Sequence, residues 1–278
     1  MYLDNLQQDE VFVPTEIKSL SEIAGIQTRR GFENAIISNG KIVNVVSKSY
    51  GHIPNQILFQ KAEEMLIEAG LTYQKRTINR NDRSFVSDFI VDDNSQFTVK
   101  NNMDLILPML RFKNSYDGSE KTSGHFGFYR KICSNGLHVS QSEIEFSIKH
   151  SSNNTNLIMP KLNSLFEKFL DNEFYSIIKK FDKMKEFRII DTKEFVKAIL
   201  ERTKLFKYEC SDKNSDPSKK AREVIEVLDY EALLLNEEPN LWLGYNAFNN
   251  VLHNTLKRSF GEQERFDKKL FDEVYALA

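Results

Sequence analysis

Cations and aromatic rings are interleaved along residues 107–139, a stretch whose residue types could bind a polyanion. Five cations stand there against two carboxylates, Asp117 and Glu120, although the whole chain has a net charge of −2. The cations are Arg111, Lys113, Lys121, Arg130 and Lys131. Lysine and arginine neutralise phosphates, and exposed rings stack on bases. The stretch therefore predicts a surface that binds nucleic acid.

Three rings and a second basic group complete this predicted surface. Bases would stack on Tyr116, Phe128 and Tyr129, while the five cations contact phosphates. The second basic group lies in a predicted hairpin, which would contact the same nucleic acid. It consists of Lys75, Arg76 and Arg80.

A third basic group follows a helical pattern in the second half of the chain. It comprises Lys179, Lys180, Lys183, Lys185 and Arg188. Asp182 and Glu186 stand among these cations. Charged residues on one side of an amphipathic helix are usually its solvated face. We therefore interpret this group as the solvated side of a helix.

Three soft-metal ligands, His125, Cys133 and His138, occur within fourteen residues of one another. Zinc sites usually contain close pairs such as Cys-x-x-Cys, and no fourth ligand is evident here. Asp117, His138 and Cys133 could be arranged as orienter, base and nucleophile, but spacing alone does not establish that geometry. We predict no metal, no cofactor and no catalytic residue.

Carboxylates near predicted strand ends are the remaining chemical candidates. Four of them could hold a divalent cation, as nuclease sites do. They are Asp88, Asp92, Asp93 and Asp104. Turn formation explains Asp92 and Asp93 equally well. A metal-dependent nuclease that uses Asp88, Asp104 or Asp117 stays open as an alternative.

Composition limits the class of protein. With 278 residues, 40% hydrophobic and 28% charged, the chain is expected to fold into a globular structure. Its net charge of −2 excludes a uniformly basic protein that coats DNA. Two distant cysteines do not suggest a disulfide framework. No apolar run approaches the roughly 18 residues of a membrane span, and no signal peptide is evident. We expect a cytoplasmic protein without membrane contact.

Residues 1–150 are predicted to form a sheet-rich α+β domain. Asn39-Gly40 joins two alternating segments, 34–38 and 41–49, as a β-hairpin. Helical spacing of apolar residues predicts one helix over residues 54–70. Further strands are predicted over residues 72–78, 83–91, 97–99, 103–112, 125–132 and 137–148. The order favours a mostly antiparallel sheet with one packed helix.

Residues 151–278 are predicted to form a helical domain or layer. Apolar residues three or four apart between positions 162 and 184 indicate a long amphipathic stripe. Asp191 resembles a helix N-cap, and Asp216 before a proline marks another helix start. A final pair of helices, separated by Gly261, is predicted over residues 241–260 and 263–277. The fold class is therefore α+β.

Four sequence blocks resemble those of the phage- and plasmid-associated domain of unknown function number 932. They are YGHIPN at 50–55, SYDGS at 115–119, RKICSNGL at 130–137 and WLGYNA at 242–247. The resemblance extends from about residue 38 to residue 250. It implies a product of a phage, prophage or plasmid, and it implies no assigned activity. In outline, the expected architecture is similar to that of single-strand annealing recombinases, which assemble as rings or filaments.

These observations lead to one main hypothesis and two alternatives. The main hypothesis is a non-enzymatic nucleic-acid-binding protein of a mobile element, for binding or annealing single-stranded DNA. A homo-oligomer with a basic groove across its subunits would reconcile this role with the acidic net charge. The first alternative is a protein-interaction or host-modulating module with an aromatic partner surface. The second is the nuclease.

Overall fold

The computed structural model describes residues 14–25, 27–79, 83–91, 99–101, 104–131, 135–137, 145–171, 175–209 and 216–278. They fall into two compact units. The first unit is drawn from Met1–Thr98, Pro108–Phe126 and Gln141–Glu173, and the second from Val99–Leu107, Gly127–Ser140 and Phe174–Ala278.

A three-stranded antiparallel sheet opens the first unit. Its strands are β1 (Thr15–Ser19), β2 (Asn34–Ser38) and β3 (Lys41–Val46), in the order β1-β2-β3, and a short helix, α1 (Leu20–Ala24), follows β1. Asn39 and Gly40 have φ angles of 49° and 71°. A tight hairpin turn needs such positive values at both central positions, which explains the Asn-Gly pair. The predicted hairpin is confirmed.

A second antiparallel sheet contains the remaining strands. They are β4 (Tyr73–Asn79), β5 (Ser84–Val91), β6 (Val99–Asn101), β7 (Asp104–Ser115), β8 (Thr122–Arg130), β9 (Asn135–Leu137) and β10 (Glu145–Ile148). The strand order is β10-β8-β7-β5-β4; in addition, β6 pairs with β7 and β9 pairs with β8. Almost every residue of β7 is buried, on both faces of the strand.

Helix α2 (Asn55–Glu68) lies in the first unit and confirms the helix predicted over 54–70. It starts after Pro54, and the chain leaves it at Gly70, which has a φ of 69°. Leu58, Phe59, Ala62 and Leu66 form its buried stripe. The ring of Phe59 lies 6.5 Å from that of Phe112 on β7. This contact packs the helix against the strand.

After a 3-10 turn, Thr155–Leu157, the described secondary structure is helical. The helices are α3 (Ile158–Leu170) in the first unit, and α4 (Tyr175–Lys185), α5 (Thr192–Thr203), α6 (Lys219–Leu235), α7 (Leu241–Asn254) and α8 (Phe260–Tyr275) in the second. All the described strands therefore lie in the first 150 residues and most of the helices follow them, which confirms the α+β class. No helix in the described part of the chain is long and apolar enough to cross a membrane.

The helix boundaries confirm one predicted start and correct two others. The Asp191 side chain accepts from the backbone of Lys193 and Glu194, as an N-cap does. Helix α6 is capped by Ser218 and not by Asp216. Gly261 does not separate the last two helices. Instead, Ser259 forms a capping box with Glu262, so that Gly261 lies within the first turn of α8.

Candidate functional site

The first unit contains a buried carboxylate between two arginines. Antiparallel pairing places Asp88 of β5 opposite Arg111 of β7 and Arg76 of β4. One Nη atom of each arginine donates to Asp88 Oδ2 at 2.8 Å. Asp88 and Arg111 are 0% and 3% exposed. Burial alone would raise the pKa of Asp88, but the two guanidinium charges outweigh it and lower the pKa to about 2.

The second unit contains a buried arginine between two carboxylates. Arg130 Nε donates to Asp104 Oδ1 at 2.7 Å, and its Nη1 atom donates to Glu231 Oε2 at 2.5 Å. The Trp242 indole donates to the other Asp104 oxygen at 2.8 Å, and the guanidinium lies 5.7 Å from the Trp242 ring centroid. Arg130 and Trp242 are fully buried. The network joins β7, β8, α6 and α7.

These contacts correct the predicted phosphate-binding and base-stacking residues. Arg111 and Arg130 are buried in ion pairs, and Lys113 is only 8% exposed, so none of the three presents its charge to solvent. Tyr116 and Phe128 are core rings at 3% and 0% exposure. The physical reason is that β7 and β8 are buried on both faces, so strand alternation brings neither set of side chains to the surface.

The other predicted binding residues differ in exposure. Lys121 and Lys131 are exposed, and Tyr129 is half-buried. Lys75 Nζ lies 2.8 Å from a carboxylate oxygen of Glu63. Several predicted positions lie outside the described residues, namely Arg80, Asp92, Asp93, Cys133 and His138.

The carboxylates of the nuclease hypothesis are already occupied. Asp88 and Asp104 are bound to arginines, as described above, and are therefore poor ligands for a metal ion. Asp117 Oδ1 accepts from the backbone of Ser119, which is a turn role. Within the described ranges, no group of three or more His, Cys, Asp or Glu residues could hold a metal ion.

A network of polar side chains joins two of the motif blocks in the first unit. The Asn114 amide donates to Asn55 Oδ1 and to the carbonyl of Ile53, at 2.7 Å in each case. Thr122 Oγ1 donates to Asn114 Oδ1 at 2.8 Å. The backbone of Asn55 donates to the hydroxyl of Tyr116 at 3.1 Å. These contacts fix the start of α2 against β7 and β8.

Two histidines flank this network. His150 stacks on Tyr50, with ring centroids 5.1 Å apart and nearly parallel planes. His52 Nε2 lies 2.8 Å from Thr15 Oγ1. Burial lowers the pKa of both imidazoles, that of His52 to about 4. Burial therefore favours the neutral form of both imidazoles.

Gly51, in the first motif block, is buried, and its carbonyl oxygen lies 3.3 Å from His150 Nδ1. A Cβ atom added there would lie 2.3 Å from the carbonyl oxygen and 2.5 Å from the carbonyl carbon of Ser151. Both atoms are backbone, so no side-chain rotation could relieve the clash. Glycine is required at position 51 because any side chain would overlap the backbone of Ser151. A positive φ is not the reason.

Cations and rings of the second unit form a surface around α4. We call it the α4 surface; it consists of Lys179, Lys180 and Lys183 on α4, Phe187 just after α4, and Tyr275 at the end of α8. Lys180 Nζ and Lys183 Nζ lie 5.6 Å and 5.5 Å from the Tyr275 ring centroid. Lys183 Nζ also lies 6.0 Å from the Phe187 ring. Lys179, Lys183 and Phe187 are exposed, and Lys180 and Tyr275 are half-buried.

Apolar side chains are also exposed in the second unit. Ile190 is 96% exposed and Leu233 is 81% exposed. An open cleft of about 370 Å³ is lined by residues of the same unit, namely Lys185, Glu186, Arg188, Glu237, Glu238, Pro239 and Asn240. Burial lowers the pKa of Lys185, against the opposing effect of Asp104 and Glu237. Arg188 and Glu238 form an exposed ion pair across 2.7 Å.

From the sequence, the lysines of α4 were interpreted as a solvated helix side, and the rings beside them were not singled out. Tyr275 is distant along the chain, and only the packing of α8 brings it to α4. The stacked pair of Phe271 and Tyr275, four residues apart on α8, is the one signal in the sequence that points to an ordered ring there.

The fold and the α4 surface define an α+β protein with a candidate binding surface of lysines and aromatic rings. A family model described as "Domain of unknown function (DUF932)" matches residues 42–270, so the chain belongs to that family, as its sequence blocks indicated. No curated protein and no solved structure matches the chain.

Proposed function

We propose that this chain is a non-enzymatic nucleic-acid-binding protein that binds through the α4 surface. The observation that carries the proposal is the alternation of two lysines, Lys180 and Lys183, with the rings of Tyr275 and Phe187, beside the exposed Lys179 on the same helix. Lysines at such a surface neutralise phosphates, and rings contact bases. We further propose that the protein serves a phage, prophage or plasmid, as the motif blocks suggest.

The charge distribution supports this assignment. The chain has a net charge of −2, so a polyanion can bind only where cations are segregated. The cations of β7 and β8 are largely buried, whereas Lys179 and Lys183 lie exposed on one helix, in a stretch where five cations outnumber the carboxylates Asp182 and Glu186. The α4 surface therefore replaces the strands as the proposed contact with phosphates.

The test is the salt dependence of oligonucleotide binding, measured by fluorescence anisotropy. Exchange of Lys179→Ala and Lys183→Ala together should weaken binding and reduce the slope of log K against log salt by about one to two. The matched control is Lys219→Ala with Lys220→Ala, which removes the same charge from exposed positions on α6. Equal losses in both double variants would contradict the proposal, as would the absence of binding at low salt.

A protein-interaction module is the second candidate, and the exposed apolar residues favour it. Leu233 and Tyr230, the latter at 63% exposure, lie three residues apart on α6, and Ile190 adds a further exposed apolar side chain of the kind that partner surfaces use. On this hypothesis, a pull-down recovers one stoichiometric protein partner even after nuclease treatment. The double variant Ile190→Asp with Leu233→Asp should no longer bind it. A partner that nuclease removes would instead be tethered by nucleic acid.

A further inference from the structure

We infer that the α4 surface selects single strands, because unpaired bases stack on Tyr275 while Lys180 and Lys183 hold the flanking phosphates. The inference rests on the proposed function and specifies its ligand. Three features of the surface carry it: the support behind the Tyr275 ring, the position of the two ammonium groups, and the presence of a second ring.

Tyr275 is held in place from within the second unit. Its ring is parallel to that of Phe271, with an interplanar angle of 1° and centroids 6.0 Å apart. Phe271 is 2% exposed and packs edge-on against Tyr245 and Phe181. A ring that is anchored in this way loses little conformational freedom when a base stacks on it, so the stacking energy is retained.

The two ammonium groups lie close enough to Tyr275 to reach the phosphates on either side of a base stacked on that ring. Both are within 6 Å of the ring centroid. Cation–π contacts at exposed positions are weak, so either lysine can leave the ring for a phosphate oxygen at small cost. A base then takes the place of the ammonium group on the ring.

A second ring, Phe187, extends the surface just beyond the end of α4. Phe187 is 37% exposed, and Lys183 lies between it and Tyr275, at 6.0 Å and 5.5 Å from the two ring centroids. Rings and cations in alternation suit a ligand in which bases and phosphates alternate and both are accessible. A duplex offers only its phosphates, because its bases are paired and stacked on each other.

The experiment compares three labelled probes of about 15 nucleotides: oligo-dT, an abasic strand with the same phosphates, and a duplex. Oligo-dT should bind about tenfold more tightly than either of the others, because stacking of a single base on a ring can supply that factor. Tyr275→Ala should remove most of this preference and leave the salt slope unchanged. Tyr275→Phe keeps the ring and should preserve the preference.

A second measurement uses the unaltered protein and does not depend on whether a variant folds. A strand containing 2-aminopurine should lose emission when the protein saturates it, because stacking quenches that base. Unchanged emission at saturation would overturn the inference. Equal affinity for all three probes, with a slope that depends on Lys179 and Lys183, would also overturn it but leave the proposed function standing. Absence of binding to every probe would remove both.

Discussion

Strands β7 and β8 and helix α4 have similar composition and opposite surroundings. Both combine cations with aromatic residues, but Arg111 and Arg130 are buried against carboxylates, whereas Lys179 and Lys183 are exposed. The strands are covered on both faces, while the helix buries one stripe and leaves the other to solvent. Composition therefore identifies groups that could bind a polyanion, and burial decides which of them can reach it.

The largest expected effect is that of Arg130→Ala. It would leave Asp104 and Glu231 buried without their counter-charge, at a cost of about 3–5 kcal/mol in the free energy of unfolding. Urea unfolding followed by the fluorescence of Trp242, the single tryptophan, reports directly on this network. A loss below about 1 kcal/mol would show that the guanidinium is not needed there, and the contrast with α4 would fail.

The second effect is acid destabilisation through Asp88. Its pKa is about 2 in the folded chain and 3.8 ordinarily, so the unfolded state takes up a proton first as the pH falls. The stabilisation is complete above pH 3.8, is lost as the pH falls towards 2, and amounts to about 2 kcal/mol.

The measurement is urea unfolding at a series of pH values, for the wild type and for Asp88→Asn. The variant should be less stable at neutral pH and should lack this part of the acid slope. Asp117→Asn is the control, because it removes the same charge from a carboxylate that accepts from the backbone in a turn. If Asp88→Asn keeps the wild-type dependence of unfolding free energy on pH, that dependence arises from other groups.

The smallest expected effect on stability is that of Lys183→Ala. An exposed lysine near two rings should contribute less than about 0.5 kcal/mol to folding, so the thermal midpoint should hardly change. The variant should nevertheless bind oligonucleotides more weakly. Loss of stability without loss of binding would reverse the roles assigned to the two regions.

Local features of the fold were predictable from the sequence. The Asn39-Gly40 pair favours the turn of the β2–β3 hairpin, and the spacing of apolar residues from Leu58 to Leu66 predicts α2. Both features depend on residues that are close together in the chain. The α+β class follows from the change of period near residue 150.

The ion pairs and the ring surface were not predictable, because their partners are remote. Arg111 meets Asp88 across 23 residues, and Arg130 meets Asp104 and Glu231 across 26 and 101 residues. Tyr275 reaches α4 only through the packing of α8. The number of charges in residues 107–139 does not reveal these pairings, so the sequence alone could not distinguish buried cations from exposed ones.

The close contact between Gly51 and the backbone of Ser151 restricts which residue can occupy position 51. Every homologue that keeps this chain path must carry glycine at the equivalent of position 51, whatever happens to its charges. A homologue with a larger residue there must have moved the segments around positions 51 and 151 apart, which would also alter the stacking of His150 on Tyr50. The identity of one small residue therefore sorts relatives into those that share this local geometry and those that have remodelled it.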